Sequence, residues 1–143
     1  IEAAQISPGG RVYAVEMDVD DFSLIAQNAE RFDVSNVFPI HGAAPTAWQD
    51  LPDPDAVFIG GTGRQLEAII ADALDRLKPG GRIVADMASI DNVSEVQTLL
   101  RDATGDVKIW MFNVAKGNYQ LERIRFDAQN PIFLLSAIKP ESK

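Results

Sequence analysis

Asp55-Ala-Val-Phe-Ile-Gly-Gly-Thr-Gly-Arg64 carries the strongest chemical signal in the chain: an apolar run that ends in glycines at 60, 61 and 63. Without a Cβ, such a loop lets a ligand approach the backbone closely, and this glycine density exceeds what a tight turn needs. Glu16 closes another apolar run, Arg11-Val-Tyr-Ala-Val. A carboxylate at the carboxyl end of a strand stands where open α/β sheets bind ligands, and it can accept hydrogen bonds from ribose hydroxyls. Its rival reading is a solvated acid in a turn, given Asp18, Asp20 and Asp21 nearby. Met17 can pack on an adenine face or belong to the core. In His41-Gly-Ala-Ala-Pro45, the small residues Gly42, Ala43 and Ala44 leave backbone groups free to reach the edge of a base, with a simple turn as the alternative. His41 is the only histidine, and a surface role competes with general-base chemistry.

The elements that must hold these residues follow from periodicity. Strands are expected at 12–15, 36–40, 56–59, 82–85, 107–114 and 132–138. Apolar residues at helical spacing predict helices over 20–32 (Phe22, Ile25, Ala29, Phe32), 65–77 (Leu66, Ile69, Ile70, Ala73, Leu74, Leu77) and 92–103 (Val93, Val96, Leu99, Leu100). Ile1 to Ala4 reads as the tail of a helix closed by Pro8-Gly9-Gly10, and a short helical turn lies near Ala47-Trp48. Lys78-Pro-Gly-Gly81 is accounted for by helix termination. Trp48 and Trp110 read as packing residues. The run 56–59, nearly all apolar, predicts a strand buried on both faces. Alternation of strands and helices predicts a parallel sheet covered on both faces. The last two strands, joined by a polar linker over 115–127 without a helix, should be antiparallel.

At 143 residues the expectation is a single domain, 1–143. Thirteen basic against twenty-one acidic residues, net −8, argue against a nucleic-acid partner, because phosphate binding needs a basic face. Cysteine is absent, so neither disulfides nor thiolate metal sites are available, and no metal is expected. No apolar run has membrane-spanning length and no leader pattern is visible, so the expectation is a cytoplasmic protein with no membrane partner.

In chain order these pieces resemble a Rossmann-like class I S-adenosylmethionine methyltransferase: an α/β fold, mostly parallel, with an antiparallel last strand. More specifically, Val-Phe-Ile-Gly-Gly-Thr-Gly at 57–63, Gly-Ala-Ala-Pro at 42–45, Asn113-Val-Ala-Lys116 and Ala128-Gln-Asn-Pro131 resemble the precorrin (cobalt-precorrin) C15-methyltransferases of cobalamin biosynthesis. That family also decarboxylates the C12 acetate, and it occurs alone or as the C-terminal half of a C5,15-methyltransferase. The chain departs from the family pattern at Arg64, where another glycine is frequent. A second departure is Asp86-Met-Ala-Ser-Ile-Asp91, where Asn-Ala-Val-Thr-Leu-Glu is common.

The resemblance implies S-adenosylmethionine as cofactor, held by Glu16, Met17, Gly42, Ala43, Ala44 and Gly60. A corrinoid substrate would meet Gly61, Thr62, Gly63 and Arg64, with Lys116, Arg123 and Arg125 opposing its carboxylates; solvated surface charge is the alternative for each cation. Asp86 is the best-placed catalytic acid or base, with a structural acid before a helix as its rival. The resemblance further implies a homotetramer, and of the apolar residues Ile109, Trp110, Met111 and Phe112 alternation should bury one set and leave the other to a helix or a neighbouring subunit. It also implies a first strand and glycine-rich loop ahead of Ile1, between the strands ending at Glu16 and Ile59. Without that strand its neighbours should stand about 9–10 Å apart, and the fragment should be unstable and inactive. Two other readings stay open: another class I methyltransferase, and an NAD-binding Rossmann domain. The antiparallel last strand discriminates against the second.

Overall fold

The computed structural model describes residues 1–141. They group into two compact units, Ile1–Pro52 and the residues from Asp53 onward.

The first unit runs α1 (Glu2–Ile6), β1 (Val12–Glu16), α2 (Val19–Arg31), β2 (Val37–His41) and a 3-10 turn (Thr46–Trp48). β1 and β2 pair in parallel from Val12↔Val37 to Glu16↔His41. Asp18 starts α2 as its N-cap, its Oδ1 accepting from the backbone N–H of Asp20 (2.9 Å) and Asp21 (3.1 Å). The Asn36 amide donates to the carbonyls of Ala4, Ser7 and Gly10 (3.0–3.2 Å), satisfying the end of α1 and the turn after it. Of the helical stripe read from the sequence, Phe22, Ile25 and Ala29 are half-buried, whereas Phe32 caps the helix and is exposed beneath the Arg31 guanidinium.

The second unit contains β3 (Ala56–Ile59), α3 (Leu66–Arg76), β4 (Arg82–Met87), α4 (Ile90–Thr104), β5 (Lys108–Phe112), β6 (Ala115–Gln120), β7 (Arg123–Ala128) and β8 (Ile132–Ile138). Its main sheet has the order β3-β4-β8-β5. β3 and β4 are parallel, while β8 inserts between β4 and β5 antiparallel to both. The antiparallel last strand is therefore present. Its core joins Leu66, Ile69, Ile70 and Ala73 of α3 and Val93, Val96 and Leu100 of α4 to Ile83, Ala85, Met87, Leu135 and Ala137 of the sheet.

Both helices of this unit lie on one sheet face. The crossovers β3→α3→β4 and β4→α4→β5 advance in the same direction, so the right-handed rule puts both helices on one side. Three expectations need correction. β3 is not buried on both faces: only Ile59 is buried, and Phe58 is 68% exposed, because β3 is an edge strand packed on one side. No residue of β5 is buried, although alternation led us to expect one buried set; β5 too is an edge strand. Finally, the linker 115–127 is an antiparallel hairpin, β6–β7, running from Ala115↔Ala128 to Gln120↔Arg123. Its turn residues Leu121 and Glu122 both take positive φ (49° and 61°), the pattern of a two-residue hairpin turn normally built from Asn and Gly. The sequence therefore lacked the usual turn signal.

Candidate functional site

Two groups of predicted residues are brought together, one in each unit. In the first unit, Glu16 and His41 are register partners at the carboxyl ends of parallel strands, so both side chains leave the sheet on the same side. Glu16 is half-buried, and its Oε1 accepts from the Asp18 backbone N–H at 2.8 Å. No other hydrogen bond reaches this carboxylate among the described residues, which leaves acceptor capacity on both oxygens for a ligand. The Gly42 N–H donates to the Glu16 carbonyl at 2.9 Å, continuing the ladder one step beyond the strands. Gly42 has φ +152°, and a Cβ there would stand 2.9 Å from the Ala47 Cβ, so its lack of a side chain already has an internal cause. Ala43 is exposed and Ala44 half-buried. Met17 is 71% exposed, which removes the core alternative for it. The His41 Nε2 lies 3.2 Å from the Met17 carbonyl, and its ring sits 5.0 Å from that of Phe22.

In the second unit the glycine loop follows β3. Thr62 is buried, and its carbonyl accepts from the Gln65 N–H at 3.0 Å, fixing the entry to α3. Gly63 takes the left-handed conformation (φ +54°), while a Cβ on Gly61 would meet nothing within 4 Å. Gly61 thus keeps backbone accessible without any crowding inside the chain to require it. Arg64 is exposed and forms no ion pair among the described residues. Asp86 is the penultimate residue of β4 rather than its end; half-buried opposite Leu134, it lies on the sheet face that α3 and α4 leave open.

The hairpin sorts its residues by face. Directly opposed residues of an antiparallel pair point the same way, so Lys116, Asn118, Gln120, Arg123, Arg125 and Asp127 share one face. The other carries Tyr119, Ile124 and Phe126, exposed by 66–73%. All three predicted hairpin cations therefore lie on a single surface, tempered by Asp127, which bonds the Asn118 amide. Sequence reasoning missed this hairpin and the double role of Asp18. The signal for the second was present: an Asp directly ahead of an acidic first turn.

The comparisons with known proteins bear on this geometry. The sequence model of the precorrin methyltransferase domain matches residues 1–139. The chain belongs to this family. A protein of Pyrobaculum calidifontis named "Probable cobalt-precorrin-6B C(15)-methyltransferase (decarboxylating)" is 34% identical over 96% of this chain and 71% of its own. Among solved structures, precorrin-6y C5,15-methyltransferase from Geobacter metallireducens is 36% identical with a TM-score of 0.88, covering 96% of this chain and 73% of that one. Precorrin 8w decarboxylase of Methanobacterium thermoautotrophicum gives 33% and 0.81, over 89% and 69%. An S-adenosylmethionine-dependent O-methyltransferase from Thermotoga maritima, 20% identical with a TM-score of 0.70 over 94% of this chain and 51% of that one, shares the fold. The class I methyltransferase fold read from the sequence is thus met. No helix among the described residues is long and apolar enough to cross a membrane.

Proposed function

We propose that this precorrin methyltransferase domain transfers the methyl group of S-adenosylmethionine to C15 of a precorrin or cobalt-precorrin and releases the C12 acetate carboxyl as carbon dioxide. The observation that carries the reading is the family match over residues 1–139, in a chain whose Glu16 has carboxylate acceptors to spare at a strand's carboxyl end. S-adenosylmethionine supplies a methyl group already activated on a sulfonium. Glu16 accepts hydrogen bonds from the ribose hydroxyls, Met17 lies against the adenine, and the Gly42–Ala44 backbone meets its edge. In the second unit, Gly60 is assigned to the cofactor and Gly61, Thr62, Gly63 and Arg64 to the substrate.

The chain has little covalent work to do. The substrate's ring carbon is the nucleophile, and the conjugated macrocycle accepts the electron pair left when the carboxyl departs. Catalysis is then mainly orientation and exclusion of water. Lys116, Arg123 and Arg125 suit a polycarboxylate macrocycle, since guanidinium groups can bind carboxylates bidentately. Asp86 is the candidate for moving a proton. We assign the protein to the cytoplasm, and the exposed apolar residues of β5 and of the hairpin support a homotetramer.

Incubating the full-length protein with S-adenosylmethionine and precorrin-6B or cobalt-precorrin-6B should yield a product with one methyl gained and one carbon dioxide lost. Methylation without decarboxylation, or methyl transfer only to unrelated acceptors, would replace this reading with that of a general small-molecule methyltransferase. Light scattering on the same protein should report four copies.

A further inference from the structure

The connection from β1 to α2 is only Met17 and Asp18. One peptide group joins those two residues, and both of its polar atoms are engaged. Its N–H, on Asp18, donates to Glu16 Oε1 at 2.8 Å. Its carbonyl, on Met17, lies 3.2 Å from His41 Nε2. A carbonyl can only accept, so Nε2 is the proton-bearing nitrogen. Because a peptide group is planar, fixing its carbonyl also fixes the direction of its N–H. The chain of contacts runs from His41 Nε2–H to the Met17 carbonyl, across the peptide plane, and from the Asp18 N–H to the carboxylate of Glu16. The other ends are also anchored: the Phe22 ring packs 5.0 Å from the His41 ring at 40°, and Gly42 N–H holds the Glu16 carbonyl.

We infer that His41 is a positioning residue that sets the Glu16 carboxylate for its ligand through the Met17–Asp18 peptide. The inference rests on the assignment of Glu16 to the ribose made above. It also gives the lone histidine a role other than general base, with its Nε2 proton committed to a backbone carbonyl.

The test is calorimetric binding of S-adenosylhomocysteine to the full-length protein and its variants. His41→Ala should weaken binding about three- to tenfold, the range of one ordinary hydrogen bond. His41→Gln, whose amide N–H₂ can occupy nearly the same place as Nε2–H, should return affinity to within about twofold of the parent. In a Glu16→Gln background, His41→Ala should lose most of its effect, because two changes along one path are not additive. Unchanged affinity in His41→Ala, a Gln variant as weak as the Ala variant, or full additivity with Glu16→Gln would each overturn the inference. The last two outcomes would point to direct contact by the imidazole ring. If the parent binds tightly and Glu16→Gln alone changes nothing, the ribose assignment itself fails, and His41 falls with it.

Discussion

The two units hold their functional residues by different means. From Asp53 onward, a continuous apolar core of two helices on one sheet face anchors β4 and β8, with Ile70, Ile83, Leu100 and Leu135 fully buried. In Ile1–Pro52, Ala4 is the sole buried residue, and the chain is organised by polar fasteners: the Asp18 cap, the Asn36 amide on three carbonyls, and the ladder that ends at Gly42. Apolar burial is non-directional and stabilises a fold in bulk, whereas a hydrogen bond fixes the direction of one group. The difference teaches that the carboxylate assigned to the cofactor is aimed by hydrogen bonds in a lightly packed unit, while the sheet carrying the glycine loop is made firm by packing.

That contrast can be broken most directly by truncation. Leu100→Ala should lower unfolding stability by about 2–5 kcal/mol, as for other buried leucines. Leu24→Ala, at a residue 47% exposed on α2, should cost less than about 1 kcal/mol. Equal losses in chemical denaturation would show that the first unit has packing its exposure does not reveal.

The next effect is functional. Glu16→Ala should reduce cofactor affinity by about 1.5–3 kcal/mol, roughly ten- to a hundredfold, with little change in stability. Calorimetry with S-adenosylmethionine decides it, and binding of NAD in its place would overturn the class of ligand. Asp18→Ala should cost about 1 kcal/mol as a lost N-cap, and Asp18→Asn should recover most of it. A thermal melt that moves with neither substitution would mean that α2 does not depend on its cap.

The smallest expected effect lies in the hairpin. Leucine and glutamate at positive φ are each strained by roughly 1 kcal/mol, so replacing Leu121-Glu122 by Asn-Gly should stabilise the hairpin by about 0.5–1 kcal/mol. Amide exchange across β6–β7 should slow accordingly. Faster exchange would indicate that the native turn residues have contacts that favour this conformation.

Much of this was legible in one dimension. The helices at 19–31, 66–76 and 90–104 repeat apolar residues at helical spacing, and Ala56–Ile59 is bounded by its own composition. Glu16 and the glycine loop stood out because strand ends and missing Cβ atoms leave marks in a sequence. The hairpin did not, because Leu-Glu is poor turn chemistry and its polar strand residues look like a linker. What only the tertiary structure decided was pairing. The insertion of β8 between β4 and β5, the gathering of Lys116, Arg123 and Arg125 on one face, and the reach of His41 to Met17 depend on register between distant segments. Local periodicity sets which way a residue points along its own strand. Which neighbour stands beside it is set by long-range packing, and a single sequence does not encode that locally.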